Sequence, residues 1–389
     1  MLKSVIVNLD KRLDQPVKYY VLTVYPKEDK LLNNYENVEI ISCKPEELVF
    51  VSFPFSILYK LFHFIPPIKE ALLRNVILAT LEESDLVIDI AGVSFVDGRG
   101  IIMTLYNYIC SFVPLTVNAK LVKLSQATGP FNSFINRELA KHTFKKMKTV
   151  CPRGDITNQH LQDIDINGCK ICADLAFLLH DDAEKSHEAM QYLELVNKPF
   201  ISVSISSVVD GYCEKHKIEY RETMARFIDW LISEMNYSVV LIPQAARAGK
   251  DTTKNNDLPV SKFVYEKVRH KERCLLVDQE LEPETLREII AHSEILVASR
   301  FHAMISALYK ATPVLLVGWS HKYQEVLDMF ELGKFALDYK TMTLEQLKSA
   351  FLEIQGQKDS IKTLIMKHLP EVQNSCDKNF NLAVKLLKG

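Results

Sequence analysis

Short apolar, β-branched runs alternate with helix-length amphipathic stretches from one end of this chain to the other, and that alternation limits the fold most narrowly. Strands that read as near-continuous apolar runs are those buried on both faces, which is the situation in a parallel sheet covered by helices. An α/β architecture is therefore expected. In the first half the pattern predicts strands over residues 19–24, 38–42, 86–90 and 121–125, with helices over 68–81 and 131–147. A second series predicts strands over 200–205, 239–242, 274–277, 295–298 and 314–317. Helices are expected between them over 221–235, 284–291, 301–309 and 323–330.

A chain of 389 residues exceeds what one core usually holds, since single cores stop growing at roughly 250 to 300 residues. The acidic, polar stretch HDDAEKSHEAMQYLELVNK at 180–198 separates the two strand series and is the best candidate boundary. The expected division is 1–184, 185–345 and a helical segment 346–389, whose terminal helix is a candidate to pack back across the seam. Two doubly wound, Rossmann-like domains facing a cleft resemble the GT-B arrangement, in which ligands sit at the carboxyl ends of the strands.

A formal net charge of -2, with Lys and Arg scattered along the chain, gives no electrostatic footprint for nucleic acid. Met1 to Asp10 carries charge and no long apolar run, so no secretory leader is expected and the cytoplasm is the expected compartment. Eight cysteines are too sparse for a disulfide scaffold at this length. Cys169-x-x-Cys172 falls in the strand-like run CKICADLAF and reads either as buried thiols or as half of a zinc or redox site. No second ligand pair stands at similar spacing, so no metal site is expected.

The segment 48–65, LVFVSFPFSILYKLFHFI, is the most apolar in the chain, but Pro54, Lys60 and His63 interrupt it before the roughly 20 residues that cross a bilayer. It reads first as a buried part of the first domain. The alternative is an aromatic-rich surface resting on the inner face of a membrane.

The chemistry concentrates where the strand at 295–298 runs into the helix at 301–309. In a parallel sheet such a corner opens into the ligand crevice, where helix amides favour an anion. Arg300 adds a planar, permanently charged fork for carboxylate or phosphate, and the His302 imidazole belongs to the class that exchanges protons near neutral pH. Taken alone, the pair reads first as a loop-capping arginine and a core histidine. The next strand ends in Gly318-Trp319-Ser320-His321-Lys322, which places Lys322 and Ser320 beside the same corner. Lys322 alone reads equally as a solvated lysine in a first helical turn.

The run A-x-x-S-E-I-L-V-A-S-R-F-H-A, followed by A-L-Y-K-A-T-P-V, G-W-S-H-K-Y and F-E-L-G, resembles the carboxyl-terminal signature of the polysaccharide pyruvyl transferases. In the first half, L-S-Q-A-T-G-P-F at 124–131, C-P-R-G-D at 151–155 and A-D-L-A-F at 173–177 are similar to further family segments. The resemblance spans roughly residues 85–335 and implies an enzyme that moves the enolpyruvyl unit of phosphoenolpyruvate onto a sugar as a ketal, releasing phosphate. The sugar would belong to a cell-surface polysaccharide or its lipid-linked precursor. Phosphoenolpyruvate would be the co-substrate, with no other cofactor.

By the same resemblance His302 matches the catalytic histidine, Arg300 and Arg153 match arginines that hold the donor, and Lys322 matches a lysine needed for activity. Arg153 would come from the first domain and the others from the second, so that closure completes the donor site. By itself Arg153 reads as a surface arginine. Gln126, Ser94 and Asp97 are acceptor-side candidates, each of which also reads as a turn or capping residue. Two departures stand out: I-A-G-V-S-F at 90–95 keeps one glycine where the family has three, and Gln244 stands where a histidine is frequent. A nucleotide-sugar glycosyltransferase of GT-B type is the alternative, although it would be expected to carry a glutamate for the ribose hydroxyls. A donor-binding relative without turnover is a third reading.

Overall fold

Each of the nine runs predicted as strands in the two series forms one, and among the described residues all pairings between strands are parallel. The computed structural model describes residues 1–196, 199–246, 255–318 and 321–388. The chain divides into two compact units, one of residues 1–178 with 374–389, the other of residues 179–373. The division falls ahead of the acidic stretch, for local reasons. Arg287 Nη1 donates to Leu179 O at 2.5 Å, Lys310 pairs with Asp181 at 2.8 Å, and Thr285 Oγ1 donates to Glu188 Oε2 at 2.9 Å. These contacts tie residues 179–188 to the second unit.

In the first unit β1 (Tyr19–Thr23) pairs with β2 (Val38–Ser42), while β3 (Val87–Asp89), β4 (Val93–Ser94), β5 (Leu121–Thr128) and β6 (Thr149–Pro152) form a second sheet. The wholly buried β5 is its centre, with β3 and then β4 along one edge and β6 along the other. Its register shifts between Lys123 and Gln126, where Ser125 adopts φ 49°. This bulge turns the end of β5.

The second unit holds β7 (Phe200–Ser204), β8 (Ser238–Leu241), β9 (Cys274–Leu276), β10 (Leu296–Ala298), β11 (Val314–Val317) and β12 (Ala336–Leu337). Their order is β9-β8-β7-β10-β11-β12, so the chain winds outward from β7 in both directions. The reversal between β7 and β10 is the topological switch point, where doubly wound sheets open a crevice for ligands.

Where the structure departs from the sequence reading, the cause is local. The helix expected over 68–81 is two, Pro66–Leu72 and Val76–Glu83, because Asn75 turns extended and its side chain caps the second by accepting from Leu78 N at 3.0 Å. The strands β4, β6 and β12 were missed because runs of two to four residues carry no readable period. The CKICADLAF run is irregular backbone followed by the short helix Leu175–Leu178, not a strand, and Cys172 N donates to Pro152 O at 3.0 Å. Its two thiols are free, with Cys172 buried and Cys169 half-buried.

The expectation that 48–65 is buried fails. A π-helical turn Leu48–Ser52 continues into the helix Phe53–Phe62, and the residues turned inward are Leu48, Ser52, Ser56 and Tyr59. Phe50, Phe55, Ile57, Leu58, Leu61 and Phe64 point outward. Two serines on the inner face let this helix lie close to the helix Ile101–Thr116, where Phe53 meets Phe112 edge-on at 5.9 Å.

The last helix, Lys358–Lys388, belongs to the first unit from Asn374 on, about half of its length, and there Asn379 is fully buried. Its amide donates to Ser125 Oγ at 2.8 Å and Ala173 O at 3.1 Å, bracing the β5 bulge. Replacing Asn379 by Ala removes these two buried hydrogen bonds and leaves Ala173 O only the one from Ser125 Oγ at 2.5 Å. A loss of about 1–3 kcal/mol is expected, measured as a lower urea midpoint in equilibrium unfolding.

Candidate active site

A buried carboxylate organises the carboxyl edge of the second unit's sheet. Asp257 is fully buried, and its two oxygens take four hydrogen bonds from three loops. Arg300, which follows β10, donates through Nε at 2.7 Å and again through Nη2. Ser207 N, after β7, donates at 2.8 Å, and Ala245 N, after β8, at 3.0 Å. Arg300 Nη2 also reaches Ser207 Oγ at 3.0 Å. The loops on both sides of the switch point are thereby held on one anion.

Arg300 is thus not the uncompensated cation expected at this corner, because a carboxylate with no solvent must have a counter-charge. Its side chain keeps 20% exposure, and Nη1 makes no hydrogen bond among the described residues. One edge of the fork remains for a ligand. Gln244 Nε2, next to Ala245, is buried and likewise finds no acceptor among the described residues.

His302 lies exposed in the first turn of the helix Phe301–Tyr309, one turn beyond β10. Because β10 and β11 are neighbours in register, Ala298 opposite Leu316, the first turn of the helix His321–Asp328 arrives beside it. Lys322 Nζ sits 5.4 Å from the Phe301 ring, and the His302 ring sits 5.4 Å from the same ring on centroids. Phe301 is the shared wall. Lys322 also lies 4.8 Å over the Tyr323 ring. The Tyr323 hydroxyl, pushed up to about 12 by burial, stays neutral and donates to Ser299 O at 3.3 Å. Tyr220, raised likewise by burial, shares a hydrogen bond with Ser299 Oγ at 2.7 Å. Ser320 lies outside the described residues.

The first unit holds the remaining candidates at the corresponding edge of its own sheet. Arg153, just past β6, is only 1% exposed and pairs with the buried Asp174 at 2.9 Å. Its Nη2 lies 3.6 Å from where a side chain at Gly92 would begin, so the single glycine of the 90–95 loop leaves room beside it. Arg153 is not a surface arginine, and in this conformation its guanidinium serves a buried carboxylate.

Gln126 uses both ends of its amide internally. Its oxygen accepts from Ser94 Oγ at 2.8 Å and Lys123 Nζ at 3.2 Å, and its nitrogen donates to Asp89 Oδ1 at 2.7 Å and Asp89 O at 3.1 Å. Lys123 completes this knot with an ion pair to Asp89. The Asp97 carboxylate accepts from Asn132 N at 2.5 Å, Ser133 N at 3.2 Å and Asn136 Nδ2 at 2.9 Å, which fastens the start of the helix Phe134–Phe144. Gln126, Ser94 and Asp97, read as acceptor contacts, are therefore engaged in shaping the edge. Asp257, Asp89 and Lys123 were missed, since nothing in the one-dimensional spacing links Asp257 to an arginine 43 positions later. Asp174 lay inside the quoted A-D-L-A-F run, and only its partner was hidden.

Residues 21–321 match the protein family described as polysaccharide pyruvyl transferase. Among solved structures, the chain is similar to a protein assigned as a UDP-N-acetylglucosamine 2-epimerase of Listeria monocytogenes, with TM-score 0.60 and 10% identity over 94% of this chain and 86% of the other. It is also similar to the UDP-GlcNAc 2-epimerase of Neisseria meningitidis bound to UDP-GlcNAc, with TM-score 0.57 and 9% identity over 96% and 99%. The E. coli trehalose-6-phosphate protein bound with UDP-2-fluoro glucose gives TM-score 0.55 and 10% identity over 100% and 96%. At such identities the likeness speaks for the fold, two Rossmann-like units of GT-B type in one chain.

The buried Arg153 pair makes a direct prediction. Asp174→Ala should destabilise the protein by about 3–5 kcal/mol by stranding a buried guanidinium, whereas Arg153→Met with Asp174→Leu should recover most of that loss. Equilibrium unfolding of the three chains in urea checks both statements.

Proposed function

The chain belongs to the polysaccharide pyruvyl transferase family and is a transferase acting on polysaccharide; from that membership we propose that it moves the enolpyruvyl unit of phosphoenolpyruvate onto two hydroxyls of one sugar as a ketal, releasing phosphate. The acceptor is a cell-surface polysaccharide or its lipid-linked precursor. The observation that carries this reading is the meeting of His302 and Lys322 on the Phe301 ring, at the strand ends beside the switch point.

The donor bears about three negative charges in a small volume, and several groups at this edge suit it. The helices Ser207–Lys215 and Phe301–Tyr309 both begin here, and their first amides favour an anion. Lys322 adds a cation, and Arg300 contributes the N–H edge that Asp257 leaves open. Because Asp257 cancels the charge of Arg300, that arginine orients the donor more than it attracts it.

The reaction needs a proton on the methylene carbon of the donor, which makes the neighbouring carbon electrophilic. One sugar hydroxyl adds there, and its proton leaves to a base. A second hydroxyl of the same sugar then displaces phosphate and gives its proton to the departing phosphate, closing the ketal. His302 is the proton carrier, and such a group contributes about 10² to 10⁴-fold. Positive charge and helix amides around the departing phosphate stabilise it as it leaves. Arg153 acts as a positioning residue through its pair with Asp174.

Phosphoenolpyruvate is expected to raise the melting temperature and UDP-sugars to leave it unchanged. Stabilisation by a UDP-sugar without any by phosphoenolpyruvate would transfer the assignment to a glycosyltransferase. His302→Ala should abolish acceptor-dependent phosphate release while keeping phosphoenolpyruvate affinity within about tenfold, and Lys322→Ala should weaken that affinity by about 1.5–3 kcal/mol. Phosphate release assays and calorimetric titration read the two effects separately.

A further inference from the structure

The helix Phe53–Phe62 is amphipathic in the inverted sense. Its buried residues are Ser56 and Tyr59, while Phe55, Ile57, Leu58, Leu61 and Phe62 face outward. The exposure continues beyond both ends of the helix, with Phe50 77% and Phe64 71% accessible. Leu48 and Tyr59 anchor the segment in the core with Phe53 packed against them, yet five large apolar side chains of the helix are left in water.

Two neighbouring helices of the first unit pack beside it through their later turns. Lys60 Nζ lies 5.5 Å over the Phe112 ring of the helix Ile101–Thr116, and Phe112 stacks at 6.2 Å with His142 of the helix Phe134–Phe144. The first turns of both these helices are apolar and exposed: Ile101, Ile102 and Met103 in one, Phe134 and Ile135 in the other, with Ile102 81% accessible. Both follow strands of the parallel sheet. Asp97 joins the two starting loops, so the apolar first turns stand on the carboxyl side of that sheet.

Charge selects the occupant. From Leu48 through Ile68 there is no Asp or Glu, while Lys60 and His63 stand among the apolar residues, and Arg99 and Arg137 flank the other two patches. A second copy would meet this surface with itself, as a two-fold interface requires, and would set Lys60 against its own kind with no acid in the 48–68 segment to answer it, whereas Arg137 already pairs with Glu138 at 3.4 Å and Arg99 follows Asp97 by two residues. An anionic bilayer supplies both the apolar phase and the counter-charge. No helix among the described residues is long and apolar enough to cross a membrane, and ten residues of helix span only about 15 Å.

We propose that the first unit docks on a bilayer containing anionic phospholipid, with the outer face of the Phe53–Phe62 helix and the first turns of the other two helices set into the headgroup boundary. Resting on the function proposed above, this brings the carboxyl edge of that sheet to the lipid surface, so the acceptor is a sugar carried on a membrane lipid.

Sedimentation of the full chain with vesicles tests the docking. Binding is expected to vesicles of phosphatidylcholine mixed with phosphatidylglycerol, and more weakly to phosphatidylcholine alone. The combined substitutions Phe50→Ser, Ile57→Ser, Leu61→Ser and Phe64→Ser, all at exposed positions, should lower binding at least tenfold with the melting temperature retained. Ile102→Ser, on a separate helix, should lower it on its own. Failure of the unaltered chain to bind the anionic vesicles overturns the proposal. So does light scattering that shows a dimer converted to monomer by the fourfold variant, which would assign the surface to a second copy. Phosphate release with a water-soluble acceptor should be unchanged in the fourfold variant. Its absence in every chain would remove the pyruvyl-transfer reading and leave the vesicle result standing.

Discussion

The carboxylate of Asp257 is the interaction on which the second unit's functional edge depends. A fully buried anion is tolerable only when its hydrogen bonds and its charge are both answered, and here Arg300 answers the charge while two backbone amides complete the bonding. Since those donors follow β7, β8 and β10, one anion sets the distances between three strand ends. Removing it would leave a guanidinium and two amides unsatisfied together. The position of the His302 helix is then a consequence, because that helix starts at the residue after Arg300.

The first unit applies the same rule twice. Arg153 and Asp174 form a buried pair past β6, and Lys123 with Asp89 forms another across β5 and β3, with Gln126 bonded to both of its members. Such pairs add little net stability compared with apolar packing, but they penalise misplacement severely. They suit an edge that must present a fixed shape. The residues that look most chemical in the sequence are thus divided between those that shape the first unit's own edge, Arg153, Gln126 and Asp97, and those that stand at the second unit's edge, His302 and Lys322.

The apolar surface of the first unit shows how the two levels of information differ. The segment 48–65 is visibly the most apolar in the chain, and the ordinary inference from that is burial. The helical positions that turn inward, however, carry serine at 52 and 56 and tyrosine at 59. A helical wheel drawn through the segment would have set its small, polar side apart, but which side meets the protein follows from the packing against Phe112 and its neighbours.

The sequence by itself determined the α/β alternation, most strands of the three sheets, and the corner that carries Arg300 and His302, because each is written in residues close together along the chain. Periodicity and strand-to-helix motifs are local, and local patterns survive reading in one dimension. What only the tertiary structure decided is which charges are cancelled and which face of an apolar helix is buried. Both depend on partners distant in sequence, Asp257 for Arg300 and Asp174 for Arg153, which the folded chain brings within hydrogen-bonding or ion-pairing distance and the spacing of residues does not reveal.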